Sequence, residues 1–229
     1  MIKRDNYGIV CQHSPYDENY IDGGDSSRAE GMLAMTGSAQ DLHLLPQFEV
    51  LSTGMFHRHP NQPHYCDSNN FTRDQLVQLY AGLNKLEDKS IARRGFWSHA
   101  KRLFFCQNTH DLQGNLKPWY KSRDPLPASN IGQMIIASRY YLLYPLLPFC
   151  ILFLFLEILF HSVMPINKEN NQIIALCDVY GKWILKLYCF LDRKWEDKLI
   201  EYWGLTSKDF RYQPEIGNMI TAYIENRIK

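Results

Sequence analysis

The sequence carries almost no excess charge of either sign. Lysine and arginine total 25 and aspartate and glutamate total 24, which leaves a formal net charge of +1. Because a strong basic excess is the usual electrostatic mark of nucleic-acid-binding proteins, this balance argues against a nucleic-acid partner. Low-complexity segments are also absent, and a hydrophobic content of 45% is that of a chain with a folded core.

Motifs of several familiar enzyme classes are missing as well. The sequence has no nucleophile elbow, phosphate-binding glycine loop or dinucleotide fingerprint, so serine hydrolases, nucleotide hydrolases and dehydrogenases have no support. No cofactor is indicated. The six cysteines are dispersed without a CxxC pair, as expected of free thiols in a reducing compartment. The first residues contain no apolar run of the kind that directs secretion, so a cytoplasmic location is expected.

No stretch has the pattern of a sheet, and apolar residues recur instead at helical spacing. The clearest amphipathic helix begins near Thr72 and carries apolar side chains at Leu76, Leu79, Tyr80, Leu83 and Leu86. Further helices are predicted over 28–36, 90–106, 129–144, 172–190, 192–204 and 214–228. We therefore expect a mainly α protein that forms a single helical domain over residues 1–229.

Residues 140–165 form the most apolar segment, with no charge between Tyr140 and Glu157. Pro145 and Pro148 interrupt its start, so the uninterrupted helix covers about 149–163 and is about 22 Å long. That length falls short of the roughly 30 Å hydrocarbon core of a bilayer, although the density of apolar residues favours lipid. The segment is therefore either a central core helix or a membrane-embedded one, and the second choice makes the protein membrane-associated.

Two polar motifs match the capping box, in which Ser or Thr covers a free helix amide and an acid or amide three residues later reaches back. They are SRAE at 27–30 and TRDQ at 72–75, with Ser27 and Thr72 as caps. Each motif puts an arginine at the first helical position, where a cation costs about 0.3–1 kcal/mol against the helix dipole. A tertiary partner, either a carboxylate or an anionic ligand, is therefore expected. The two boxes suggest a repeated hairpin with its polar N-termini on one face.

Three stretches carry a resemblance to known proteins: DGGDSSRAEGMLA, RHPNQPHYCDSNNFTRDQLVQLYAGL and DPLPASNIGQMIIASRYYLLYP. They resemble a group of uncharacterised bacterial and phage proteins associated with the (α/α) toroid fold of glycoside hydrolases and polysaccharide lyases. The resemblance covers residues 20–145 and implies a ring of helical hairpins whose loops form a cleft. Because 229 residues supply fewer helices than a complete toroid needs, a partial or compact toroid-like arrangement is expected.

The candidate cleft is built from the helix N-termini at 22–30 and 57–75. Paired carboxylates there would act as general acid and base, and a histidine would carry a proton. The predicted catalytic residues are Asp22, Asp25, Asp74, His57 and His59. The predicted ligand-binding residues are Arg28, Glu30, Arg73, Gln75 and His64. The histidine-rich loop matches no familiar zinc motif, so no metal site is predicted.

Two functions follow from these features. In the first, the cleft binds or cleaves a carbohydrate or another polyhydroxylated, anionic ligand, by hydrolysis or by elimination. In the second, the chain is a non-enzymatic membrane-associated or assembly protein, and the same acids and arginines form a structural network. Enzymatic activity and oligomeric state are left open by the sequence.

Overall fold

The structure, a computed structural model, describes residues 2–10, 23–60, 73–102, 109–110, 116–117, 128–153, 156 and 214–228. Within these ranges the chain is mainly α-helical, as predicted. The helices are α1 (Gly23–Met35), α2 (Ala39–Leu44), α3 (Arg73–Leu83), α4 (Ser90–Arg102), α5 (Ala128–Ser138), α6 (147–153) and α7 (Pro214–Ile228). Short 3-10 helices cover Leu45–Phe48 and Tyr141–Leu146. Strands β1 (Thr109–His110) and β2 (Leu116–Lys117) pair as a two-residue antiparallel ladder.

Helix α3 lies at the centre of the apolar core. Its residues Leu76, Leu79, Tyr80 and Leu83 are all buried, which confirms the face predicted from their spacing. The core around them includes Ile9, Leu45, Phe48, Phe56, Phe96 and Ile135. Helix α3 packs against both α1 and α5, and α4 also packs against α5. Helix α3 therefore positions α1 and α5 on either side of it, whereas α2 and α7 pack against α1.

Three predicted helix boundaries are wrong. Helix α3 ends at Leu83, so Leu86, predicted on its apolar face, lies beyond the helix and is only partly buried. Helix α1 begins at Gly23 and not near residue 28, so Ser27 is a fully buried residue inside the helix and not its cap. Helix α5 ends at Ser138 and not near Tyr144, because Arg139 adopts a left-handed backbone with a φ of 53°. A left-handed residue cannot continue a right-handed helix. The predicted helices 172–190 and 192–204 lie outside the described residues, whereas the predicted C-terminal helix is α7.

The apolar segment is helical from residue 147, and residue 156 is helical too. Pro148 lies in the first turn, where its missing N–H removes no helical hydrogen bond. The large apolar side chains in this part of the chain are mostly exposed and do not belong to the core. Among the described residues, no helix combines the length and the apolar content needed to cross a bilayer. The rest of the predicted 149–163 helix, including Glu157, lies outside the described ranges.

Candidate functional site

Helices α1 and α3 touch backbone to backbone, and the order of their contacts indicates that they run in the same direction. Glycines make this approach possible: a Cβ atom on Gly82 would lie 2.7 Å from the Gly31 carbonyl oxygen and 3.1 Å from the Ala34 Cβ. Gly31 itself lies against the Gln78 carbonyl and the Leu79 Cα. Gly31 on α1 therefore contacts residues 78 and 79 on α3, and Ala34, further along α1, contacts Gly82, which is further along α3. Parallel helices begin at the same end, so the starts of α1 and α3 share one end of the pair.

Buried polar residues concentrate in the first two thirds of these two helices. They are Ser26, Ser27 and Glu30 on α1 and Gln75 and Gln78 on α3, each no more than 2% exposed. A buried polar group costs free energy unless it is hydrogen-bonded, and such a group needs a specific reason to be there. Among the described residues, both the Oε1 and the Nε2 of Gln78 lack a hydrogen-bond partner. Gln78 thus has donor and acceptor capacity to offer a ligand or a water molecule.

Glu30 is fully buried, and the N-terminal segment holds it in place. The Arg4 guanidinium bridges two carboxyl groups, with Nη1 3.1 Å from Glu30 Oε1 and Nη2 2.6 Å from Asp41 Oδ1. The Val10 amide donates a 2.7 Å hydrogen bond to the same Glu30 oxygen. Residues 4–10 fold as a turn in which Arg4 Nη1 also donates to the Gly8 carbonyl. The network joins the N-terminal turn, α1 and α2 in one polar cluster.

The protonation of Glu30 is shifted by these surroundings. Burial raises the pKa of its carboxyl well above the ordinary value, and the hydrogen bond and negative charge of Asp41 raise it further. The Val10 amide and the Arg4 guanidinium oppose this shift because both stabilise the charged form. Glu30 consequently holds its proton to a higher pH than an exposed glutamate, and the two carboxyl groups form a coupled pair.

His59 forms a second polar contact with the N-terminal turn. Its Nε2 lies 2.9 Å from Asp5 Oδ2, and the imidazole is fully buried. Burial lowers the pKa of His59, and the neighbouring Asp5 carboxylate partly offsets that shift. The other carboxylate oxygen of Asp5 accepts hydrogen bonds from the amides of Tyr7 and Ile9. His57, also buried, anchors the preceding segment through a 2.7 Å bond from its amide to the Phe48 carbonyl.

The structure describes the side chains of half of the predicted site residues. Arg28 is partly exposed, whereas Glu30, His57, His59 and Gln75 are buried. The side chains of Asp25, Arg73 and Asp74 and all of Asp22 and His64 lie outside the described part. Arg73 is the first described residue of α3, and Thr72, the predicted cap, lies outside the described residues. The SRAE box is wrong, because Arg28 lies in the second turn of α1 and Glu30 binds Arg4 instead of an amide of its own helix.

Three residues of the polar cluster were missed by sequence reasoning: Arg4, Asp5 and Asp41. Arg4 lies 26 residues from Glu30 and 37 from Asp41 along the chain, and Asp5 lies 54 residues from His59. No local spacing therefore marks these residues. The only local signal is the adjacent Arg4–Asp5 pair, which is common in exposed segments. Within the described ranges, no group of three His, Cys, Asp or Glu residues is arranged to hold a metal ion.

Comparisons with protein families, with curated proteins and with solved structures find no match to this chain. The toroid resemblance therefore stays a prediction from the sequence motifs.

Proposed function

We propose that the end of the molecule at which α1 and α3 begin binds a polyhydroxylated, anionic ligand of the acidic-carbohydrate type. The single observation that carries this proposal is the parallel packing of α1 and α3 through Gly31 and Gly82. Parallel helices direct the positive ends of both helix dipoles, and their free amide groups, to the same side. A ligand with carboxylate groups gains from that field, and its hydroxyl groups match the side-chain amides and hydroxyls nearby.

The register of the two helices supports the choice of residues. Gly31 is level with Leu79, so counting back six residues along each helix brings the backbone of residue 25 to the same height as that of residue 73. Asp25 and Arg73 thus belong to the same end of the helix pair, and Arg28 is level with the turn that contains Gln75. An arginine fork and a carboxylate at one position can bind a sugar carboxylate and an adjacent hydroxyl group.

Within the proposal, the histidines and acids have separate tasks. Asp25 and Asp74 are the carboxylates for acid–base chemistry, and Arg28 and Arg73 bind the anionic group. His59, fully buried against Asp5, orients the loop and is not exposed enough to meet a polymer directly. Glu30 is assigned to the structural network, because Arg4 and Val10 already occupy its Oε1 atom.

The rival function, a non-enzymatic protein with a structural acid–arginine network, is favoured by the Arg4–Glu30–Asp41 cluster. Removing one partner of a buried ion pair typically costs about 3–5 kcal/mol, so such a cluster acts on stability. The two functions therefore differ in what Arg28 and Arg73 do: a ligand site affects binding and a brace affects stability.

Calorimetric titration with an oligogalacturonate, and with a neutral malto-oligosaccharide of equal length, tests the proposal. The wild type should bind the acidic oligomer in preference to the neutral one. Arg28→Gln and Arg73→Gln should each weaken acidic-oligomer binding about tenfold, the usual range for a lost hydrogen bond to a charged group, with little change in Tm. Asp25→Asn and Asp74→Asn separate binding from cleavage. Cleavage is measured as new reducing ends if the reaction is hydrolysis, or as unsaturated products if it is elimination.

Arg139→Gln is the matched control, because Arg139 is an exposed arginine next to Lys89 at the opposite end of α3. It should leave oligosaccharide binding unchanged. The proposal is wrong if neither oligomer binds, or if Arg28→Gln and Arg73→Gln lower Tm strongly and leave binding as in the wild type.

A further inference from the structure

A band of exposed apolar side chains follows α5. Its members are Tyr141, Leu142, Leu146, Phe149, Ile151, Leu152, Phe153 and Leu156. Leu142 is 93% exposed and Phe149 64% exposed, values more typical of charged side chains. We call these eight residues the apolar band. A contiguous exposed apolar surface of this kind marks an interaction site.

The distribution of these side chains around α6 indicates what covers them. Phe149, Ile151, Leu152 and Phe153 are exposed in close succession, so they point to more than one side of the helix. One side of the helix turns inward: Cys150 is 6% exposed, and Leu147, one turn before it, is partly buried against the core. A protein groove accepts one stripe of a helix, whereas lipid surrounds an inserted helix on most sides. The pattern favours lipid.

Aromatic side chains with polar tips stand at the start of the apolar band. The Trp97 indole donates a 2.8 Å hydrogen bond to the Tyr140 hydroxyl, and Trp97 is 51% exposed. Tyr141 lies beside Tyr144, with ring centroids 5.3 Å apart. Trp and Tyr are enriched where a protein crosses from water into the headgroup region of a bilayer.

Cations adjoin the same aromatic residues. The Arg93 guanidinium lies 5.5 Å from the Tyr140 ring centroid, and its Nε donates to the Ser138 carbonyl. Arg139 is exposed next to Tyr140, in a left-handed conformation that ends α5. Lys89 donates a 2.7 Å hydrogen bond to the Asn84 carbonyl at the end of α3.

These positive charges are only partly balanced. Burial lowers the pKa of Lys89 to about 8, and the nearby Arg139 and Lys85 charges lower it further. Two acids belong to the same loop: Glu87, and Asp88, which binds the Ser90 amide and hydroxyl at the start of α4. Lys89 is buried, but Lys85, Arg93 and Arg139 still outnumber these two acids, and the surplus is complementary to an anionic surface.

We infer that the apolar band inserts into one leaflet of a bilayer that contains anionic phospholipids, with Lys85, Arg93 and Arg139 against the headgroup phosphates. The described residues of α6, 147–153, span about 10 Å, a depth that fits within one leaflet of the roughly 30 Å hydrocarbon core. This surface lies at the opposite end of α3 from the proposed ligand site, and either inference can fail without the other.

Sedimentation with vesicles tests the inference on the full chain. The wild type should bind vesicles of phosphatidylcholine with 30% phosphatidylglycerol, roughly the anionic content of many membranes, and bind pure phosphatidylcholine vesicles more weakly. Phe149→Ser with Phe153→Ser should reduce binding to both by about tenfold or more, because two half-exposed rings leave the lipid. Lys85→Gln with Arg139→Gln should reduce binding to the anionic vesicles by about tenfold or more and leave binding to neutral vesicles unchanged.

Leu51→Asn is the control, since Leu51 is 62% exposed but lies outside the apolar band. It should bind both vesicle types as the wild type does, and circular dichroism should confirm that all variants are folded. Absence of wild-type binding to either vesicle type would overturn the inference. So would self-association without lipid that the Phe149 and Phe153 changes abolish, because the band would then be an interface between two copies of the chain.

Discussion

Gly82 lies so close to Gly31 that a Cβ atom on Gly82 would come within 2.7 Å of the Gly31 carbonyl oxygen. Replacing either glycine by alanine should therefore separate α1 from α3. The better helix propensity of alanine offsets part of the damage, and we expect a loss of about 1–3 kcal/mol in the free energy of unfolding. Urea denaturation of Gly31→Ala and Gly82→Ala measures this loss.

Gly37→Asn is the control for the glycine variants. Gly37 has a φ of 91°, and a Cβ atom there would meet nothing within 4 Å. Asparagine tolerates left-handed backbone, so the cost should be about 1 kcal/mol or less. Equal losses at Gly37, Gly31 and Gly82 would mean that helix contact is not the reason for the two helical glycines.

The Glu30 carboxyl should respond to two substitutions with losses of different size. Glu30→Ala leaves the Arg4 guanidinium and the Val10 amide without their partner, and we expect a loss of about 3–5 kcal/mol. Glu30→Gln keeps an acceptor oxygen without the charge and should cost about 1 kcal/mol. Thermal or urea denaturation compares the two, and a similar loss for both would contradict a carboxyl whose pKa is raised well above its ordinary value.

The pH dependence of stability provides an independent check of Glu30. Its folded-state pKa is raised, so the folded protein binds more protons than the unfolded chain above the ordinary value of 4.5. The contribution of Glu30 is complete below that pH and is lost as pH rises through the folded pKa. Glu30→Gln should remove this decline of stability with pH. If the variant shows the same decline as the wild type, another group causes it.

His59 should limit stability on the acidic side. Its folded-state pKa is lowered from 6.5, so the unfolded chain binds the additional proton. The contribution of His59 is present above pH 6.5 and is lost as pH falls through the folded pKa. Urea denaturation as a function of pH should show that the free energy of unfolding drops as the pH falls, and that this drop is smaller in His59→Gln. The same slope in variant and wild type would contradict the role given to His59.

The Arg94–Glu49 pair should be strongly coupled. Arg94 Nε and Nη2 lie 2.7 and 2.6 Å from the two Glu49 oxygens, and the Gly54 amide also donates to Glu49. Because the Glu49 side chain is only 5% exposed, a double-mutant cycle of Arg94→Met and Glu49→Gln should give a coupling free energy of about 1–3 kcal/mol. Strictly additive losses would mean that the pair contributes nothing beyond its separate side chains.

The sequence was sufficient for helices with a regular apolar face. Leu76, Leu79, Tyr80 and Leu83 recur at helical spacing, and all four are buried in α3. The sequence was not sufficient where a single residue ends a helix although the apolar pattern continues beyond that residue. Arg139 turns the backbone into the left-handed region, and no local signal distinguishes it from a helical arginine.

The polar cluster could not be predicted from the sequence because its members meet only through tertiary packing. Arg4 binds Glu30 and Asp41, which lie 26 and 37 residues further along the chain. The SRAE motif also fits a short consensus that occurs by chance inside helices, and Ser27 is such a case. The parallel course of α1 and α3 depends on the close contact of two glycines, which sequence spacing does not reveal.

The central claim, that α1 and α3 begin at the same end and share one polar site, is tested most directly by photocrosslinking from α1. A benzoylphenylalanine placed at position 28 should, on irradiation, attach to residues 72–79, as identified by mass spectrometry of the digested protein. Attachment to residues 80–86 instead would mean that the helices run in opposite directions, and the proposed ligand site would not exist.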